Sequence, residues 1–360
     1  MSTTTVAPAT KLKAPKGGAI EDLISALDAA VGGNDDNAAV TQFIDTGYAP
    51  LNEAISGRYD GGLPYGRMIE MMGEPSCGKT ALATEWMVKT QQMGGVAGFV
   101  DWERSFDVGL AKGFGLNDQR PYWFYHKAET WESGNTWAAR ACRAIRASKA
   151  LPPEAPILFV FDSIASAIPH SMLYDAKGNK REIESFTMND TSALSRVTST
   201  TLKVMAQYCE EFNATFLYLN QIRLKIGVVF GDPRTTPGGK AMEFYATNRI
   251  MLGREKIMQT VAGGKEFVGQ NIKMEVVKSK LTKPFKKCEI RMAFDDDGVA
   301  RFDTTYSLIE ELLGQKKLTS PKNGYVEWEG KQLSKRALAD LINETGIIGK
   351  FNAMLEPATT

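Results

Sequence analysis

An α/β fold with a mostly parallel sheet is what this sequence predicts, and three observations carry the prediction. Between about residues 66 and 256, short apolar runs at 67–72, 96–100, 157–161 and 215–219 alternate with helix-patterned stretches, the pattern of parallel strands covered by helices on both faces. Each run ends on polar residues: Gly73 opens a glycine-rich loop, Asp101 and Glu103 follow the second run, Asp162 and Ser163 the third, Asn220 and Gln221 the fourth. Open parallel sheets bind ligands at the carboxyl ends of their strands, so four such ends point to one site. The third observation is the loop itself, GEPSCGKT at residues 73–80, which fits G-x-x-x-x-G-K-[ST] between a strand and a helix.

Composition narrows the function classes. A chain of 360 residues suggests two domains, at roughly 150 residues each. With 43% hydrophobic and 24% charged residues it lies among ordinary globular proteins. The net charge of +1 gives no bulk attraction to nucleic acid or acidic lipid, so any polyanion site must be local. Cys77, Cys142, Cys209 and Cys288 are far apart with no CxxC or Cys/His cluster, which argues against structural zinc and a disulfide framework. The N-terminus has no apolar signal region and no 18-residue uncharged run occurs, so the expectation is a cytoplasmic protein with no membrane partner.

Element by element, residues 1–18 are small and polar and predict a mobile tail. Ile20, Leu23, Ile24, Leu27 and Val31 then recur at helical spacing before Gly32 and Gly33. The apolar stripe of that helix serves equally for packing on its own core or on a neighbour. A strand is expected at 272–277 and a basic stretch at 278–287. Beyond it, a short helix at 308–313, a linker-like stretch at 314–323 and a helix capped by Ser334 with Ala337, Leu338, Leu341 and Ile342 on one stripe predict a small α-rich domain. The expected divisions are a tail and helix at 1–45, a core at 46–302 and a C-terminal domain at 303–360.

The loop of Gly73, Glu74, Pro75, Ser76, Cys77, Gly78, Lys79 and Thr80 would hold phosphates through unpaired backbone N–H groups and the helix dipole. Lys79 would neutralise the β- and γ-phosphates, and Thr80 would ligate Mg²⁺. Asp162 is placed to hold that Mg²⁺, or alternatively to cap the next helix. Glu103 is a candidate for deprotonating an attacking water, or an exposed loop residue. Gln221 could sense a γ-phosphate through its amide.

Directly after Gln221, residues 223–249 carry five basic side chains (Arg223, Lys225, Arg234, Lys240, Arg249) against two acidic ones, a local charge of +3 on a Gly/Pro-rich loop. Ile226, Val228 and Phe230 interleave with the cations, an arrangement that serves either as base-wedging side chains beside phosphate-binding cations or as an apolar loop anchor.

The run NQIRLKIGVVFGDPRTTPGGKAMEFYA at 220–246 closely resembles the second DNA-binding loop of RecA-type recombinases. The resemblance extends to GGLPYGRMIEMMGEPSCGKT at 61–80, FVDWERSFD at 99–107, FVFDSIAS at 159–166 and VVKSKLTKPFKKCEI at 276–290, and more loosely to the N-terminal helix and the segment from Asn323. It implies a RecA-like P-loop ATPase core that takes ATP and Mg²⁺. By the same resemblance Glu103 is the water-activating glutamate, Gln221 the γ-phosphate sensor, and Asp107 lies at the nucleotide. Ile226 matches the residue inserted between base triplets, with Arg223, Lys225, Gly227, Val228, Phe230, Gly238 and Gly239 in the same DNA loop. Arg196, Ser199 and Lys203 match positions near the DNA backbone, and Met188 is the candidate inserting residue of the first loop. Lys278 and Lys280, alternating on a strand edge, match a pair that reaches the neighbouring subunit's ATP, while Phe244 and Arg249 match subunit-interface positions.

There are departures. Leu110 stands where a tyrosine commonly stacks on adenine, Lys240 and Glu243 differ from the usual residues around the interface strand, the first DNA loop is longer, and the tail ending EPATT lacks acidic clustering. The function implied is a DNA-dependent ATPase that polymerises head to tail on single-stranded DNA and pairs it with homologous duplex, aided by single-strand-binding or mediator proteins. Its rivals are a hexameric helicase or loader on the same fold and a non-catalytic mediator that uses ATP for assembly.

Overall fold

The computed structural model describes residues 39–187, 192–224, 233–261, 264–294 and 298–355, with Glu21, Asp22, Ser25, Asp190 and Gly227. The chain divides into two units, residues 1–40 and 41–360. In the first, Glu21, Asp22 and Ser25 are helical, and the expected tail and the apolar stripe from Ile20 to Val31 lie outside the described residues.

The second unit opens with a small ribbon, β1 (Phe43–Ile44) against β2 (Leu63–Pro64), around helix α1 (Ala49–Ser56). The core follows as β3 (Met68–Gly73), α2 (Lys79–Gln92), β4 (Val96–Asp101), α3 (Val108–Gly113), β5 (Trp123–Lys127), α4 (Trp131–Ser148) and β6 (Ile157–Asp162). Next come α5 (His170–Leu173), α6 (Ala193–Glu211), β7 (Ala214–Gln221), the short β8 (Arg223–Leu224) and β9 (Arg234–Thr235), and α7 (Ala241–Tyr245). The chain continues as β10 (Asn248–Val261), β11 (Gly264–Ser279), β12 (Lys287–Phe294), β13 (Ala300–Asp303) and α8 (Thr304–Gly314), and ends in β14 (Tyr325–Trp328), β15 (Lys331–Ser334), α9 (Lys335–Thr345) and α10 (Ile348–Leu355).

Nine strands form one sheet in the order β13-β12-β11-β10-β3-β7-β6-β4-β5, parallel from β10 through β5 and antiparallel from β10 through β13. The four apolar runs are its central strands. They are apolar at nearly every position because both faces are covered. On one face Ile69, Met71, Phe99, Leu158, Val160, Leu217 and Leu219 pack with Leu82, Trp86 and Met87 of α2. On the other, Val100, Phe159, Phe161, Phe216 and Tyr218 pack with Trp131, Ala138 and Cys142 of α4 and Leu202, Met205 and Cys209 of α6. All four cysteines are buried and free. Among the described residues no helix is long and apolar enough to cross a membrane.

The structure adds to and departs from the sequence reading in places. Strand β5, the half-exposed WFYHK, closes one edge of the sheet and was not assigned from the sequence. The segment after residue 303 is α-rich as expected, with three helices, and adds one hairpin, β14 with β15, that the sequence reading did not assign. Its Leu308, Leu312, Leu338, Ile342 and Phe351 belong to the same apolar cluster as α2. Lys278 lies at the end of β11, paired with Arg249 of β10 and beyond the last β12 partner at Glu275, and Lys280 follows the strand's end. Around Glu243 the chain forms the short helix α7 instead of a strand. Ser334 caps α9 as expected, accepting from the Ala337 N–H at 3.1 Å.

Candidate functional site

Sheet order decides which strand ends meet. With β3, β7, β6 and β4 adjacent, Gly73 pairs in register with Gln221 and Asp162 with Asp101. The glycine-rich loop crosses this edge and runs into α2, whose N-terminus has no side-chain cap and no acid in its first turn. Four orphan N–H groups with a positive dipole behind them form an anion site. Gly78 makes the tight turn possible, since its φ is +92° and a Cβ there would lie 2.4 Å from Ile272 Cδ1. Lys79 folds over the loop and donates to the carbonyls of Gly73 (3.1 Å) and Glu74 (2.8 Å). Arg254 reaches the Ser76 carbonyl at 3.2 Å.

Thr80 Oγ1 donates to Asp162 Oδ2 at 2.9 Å, bringing both expected cation ligands together. Asp162 is 4% exposed, and burial first, then the Glu103 charge, push its carboxyl up to about 7. A buried oxygen donor set whose negative charge is disfavoured until a cation arrives suits a hard divalent ion. Asp162 caps no helix; Ser163 occupies that position before the turn at Ile164–Ser166.

Glu103 lies over the same edge. Its Oε1 accepts from Ser163 Oγ at 2.6 Å, Ser166 Oγ at 3.3 Å and Gln221 Nε2 at 3.4 Å. All three donors crowd one oxygen, so Oε2 is left to act. Sequence reasoning assigned no role to the serines; the signal was two hydroxyls three residues apart at the third strand end. Asp101 behind them is fixed by Arg104 N–H (2.5 Å), Phe106 N–H (3.3 Å) and Tyr125 Oη (2.8 Å). Asp107 instead caps α3, accepting from Leu110 N–H at 3.1 Å, and Leu110 itself is exposed.

The second loop leaves this edge through Arg223, and its root is the two-residue ladder of β8 with β9. Lys225, Ile226, Val228 and Phe230 lie outside the described residues, and Gly227 is exposed at a φ of +84°. The loop returns through Gly238 and Gly239, at φ +86° and +73°, where a Cβ on Gly238 would stand 2.8 Å from Ile164 Cγ2. Arg196, Ser199 and Lys203 are exposed on α6, at the spacing that places them on one face. Met188 lies outside the described residues, but the first loop around it is clamped. Arg181 binds Asp190 at 2.9 Å and the carbonyl oxygens of Ser171 (3.2 Å) and Ser185 (2.8 Å).

On the other side of β3, Phe244 projects from α7 and is 68% exposed. Lys278 donates to the carbonyl oxygens of Glu243 and Phe244, and burial, then Lys280 and Arg249, lower its ammonium pKa to about 8. Lys280 is exposed. Arg249 turns inward to Glu70, at 2.6 Å.

The family model of the RecA N-terminal domain matches residues 29–300. Proteins named Protein RecA are similar over most of the chain: one from Leptospira meyeri is 32% identical, covering 79% of this chain and 73% of its own length. Others from Bacteroides thetaiotaomicron, at 34% with 77% and 76% covered, and Bifidobacterium breve, at 31% with 82% and 67% covered, agree. Strand-end geometry, sheet order and these similarities converge: the chain belongs to the RecA family.

Proposed function

We propose that this chain is an ATP-dependent recombinase that assembles on single-stranded DNA, pairs it with homologous duplex and hydrolyses ATP to ADP and phosphate. One observation carries the reading: Gln221, at the root of the second loop, contacts Glu103 at 3.4 Å, so the candidate water-activating group and the candidate DNA loop share a hydrogen bond. A change at the phosphate site is thereby felt in the loop.

In this mechanism the N–H groups at the start of α2 and the Lys79 ammonium bind the phosphates, and Thr80 with Asp162 would hold Mg²⁺. That ion supplies charge neutralisation on the phosphate oxygens. Ser163 and Ser166 fix Glu103 so that its free oxygen takes the proton of the attacking water. Arg196, Ser199 and Lys203, with Arg223 and Lys225, meet DNA phosphates, so affinity falls with salt and sequence preference is weak. Lys278, Lys280 and Phe244 form the contact to the next subunit, with Arg249 behind them turned toward Glu70. A head-to-tail contact of this heterologous kind gives an open helical filament, acting in the cytoplasm.

The experiment is strand exchange between a circular single strand and its homologous linear duplex, with ATP and Mg²⁺, for wild type, Lys79→Ala and Ile226→Ala/Phe230→Ala. Joint molecules made by wild type and lost in both variants support the reading. Wild-type protein that binds single strands and hydrolyses ATP without making joint molecules overturns it in favour of a motor or mediator.

A further inference from the structure

Strand β3 carries one carboxylate in an otherwise apolar run, Glu70, with no exposure at all. A buried charge persists only when its oxygens are committed, and both are. Oε2 accepts from Arg249 Nε at 2.6 Å and Oε1 from Asn220 Nδ2 at 2.8 Å. Asn220 is itself shared. Its amide also donates to the Pro237 carbonyl at 3.1 Å, and its Oδ1 accepts from the Gln221 N–H at 2.9 Å. One buried amide therefore holds both the departing and the returning stem of the second loop, residues 222–236.

At the opposite end, Arg249 Nη1 lies 3.9 Å from Glu243 Oε1 on α7, beside the exposed Phe244. Lys278 pairs with Arg249 across β10 and β11 and grips the carbonyl end of α7. A continuous polar path thus runs from α7 through Arg249, Glu70 and Asn220 to Gln221 and Pro237. Glu70 is fully buried and cut off from water, so Arg249 cannot shift toward Glu243 without Glu70 following or losing its pair.

We infer that Glu70, acting through Asn220, is a positioning residue that couples the face of α7 to both stems of the second loop. This rests on the recombinase reading, in which α7 meets the next subunit and the loop meets DNA. Glu70 touches neither substrate. Its role is to make the loop's arrangement depend on the state of the subunit contact.

The test is the affinity of full-length protein for a fluorescent oligo-dT strand, measured with a non-hydrolysable ATP analogue and with ADP, for wild type, Glu70→Gln and Asn220→Leu. Asn220→Leu leaves the Glu70–Arg249 contact in place and removes the amide's bonds to Glu70 Oε1, the Pro237 carbonyl and the Gln221 N–H. Nucleotide affinity without DNA and the melting temperature report fold integrity. The expected result is that the ratio of the two DNA affinities falls about tenfold or more in both variants, within the usual size of a coupling between sites, while nucleotide affinity without DNA is retained. Folded variants that keep the wild-type ratio overturn the inference, as does a parallel loss of nucleotide affinity. If Glu70→Gln does not fold, Asn220→Leu decides alone. A wild-type protein whose DNA binding ignores nucleotide overturns the recombinase reading itself, a result distinct from failure of the variants.

Discussion

Replacing Glu103 with Gln removes the proposed proton acceptor and little else. The side chain keeps its length, and its carbonyl oxygen can still accept from Ser163, now at 2.6 Å from Glu103 Oε1. Because the three donors crowd that oxygen, the amide nitrogen falls at the free position, where it donates instead of accepting. A general base contributes about 10²- to 10⁴-fold, equivalent to about 3–5 kcal/mol on the barrier. Glu103 is exposed and supports no core packing, so stability should hold. The assay is steady-state ATP hydrolysis stimulated by single-stranded DNA, with DNA affinity measured in parallel. Hydrolysis should drop by about two orders of magnitude or more, while ATP-dependent DNA binding persists and dissociates more slowly. A variant hydrolysing ATP at near the wild-type rate would refute Glu103 as the base.

Other perturbations follow from the same geometry. Lys79→Ala removes the charge held over Gly73 and Glu74 and should abolish ATP binding in a filter or fluorescence assay while leaving the melting temperature near wild type. The Lys278 ammonium pKa is lowered to about 8, so its positive charge is present at pH 7 and lost as pH rises through that value; ATP-dependent assembly followed by light scattering should weaken between pH 7 and 9, and Lys278→Met should be weak and flat across that window. Gly238→Ala places a Cβ 2.8 Å from Ile164 Cγ2 at a φ of +86°, a conformation costing about 1–2 kcal/mol for an L-residue, and should reduce single-strand affinity in fluorescence anisotropy more than it reduces ATP affinity. Ser334→Ala removes the cap on Ala337 N–H and should cost about 1 kcal/mol in urea unfolding.

Much of the core was legible in the sequence because its strands are buried on both faces. Residues 157–161 and 215–219 read as largely apolar runs, and the structure extends the first only to Asp162 and the second only to Ala214 and Gln221. The glycine-rich loop was legible because Gly78 and Lys79 are demanded by phosphate chemistry whatever the fold around them. Strand β5 was not assigned, although Tyr122, Trp123, Phe124 and Tyr125 form a run of strand-favouring aromatics. Nor was the hairpin at 325–334, where short polar strands carry no distinctive periodicity.

By itself the sequence determined the fold class, the phosphate loop and the identity of the strand-end residues, because backbone donors, charge and apolar periodicity are local properties. Only the tertiary structure decided which of those residues meet. Sheet order sets β3 beside β7 and β6 beside β4, so Thr80 reaches Asp162 across 82 residues and Gln221 reaches Glu103 across 118. Glu70 was turned into a buried link between β7 and β10 by the same long-range packing, whereas Asp107 caps α3 through a contact only three residues away. A hydrogen bond depends on distances of about 3 Å, and such distances between remote segments are set by how the sheet assembles.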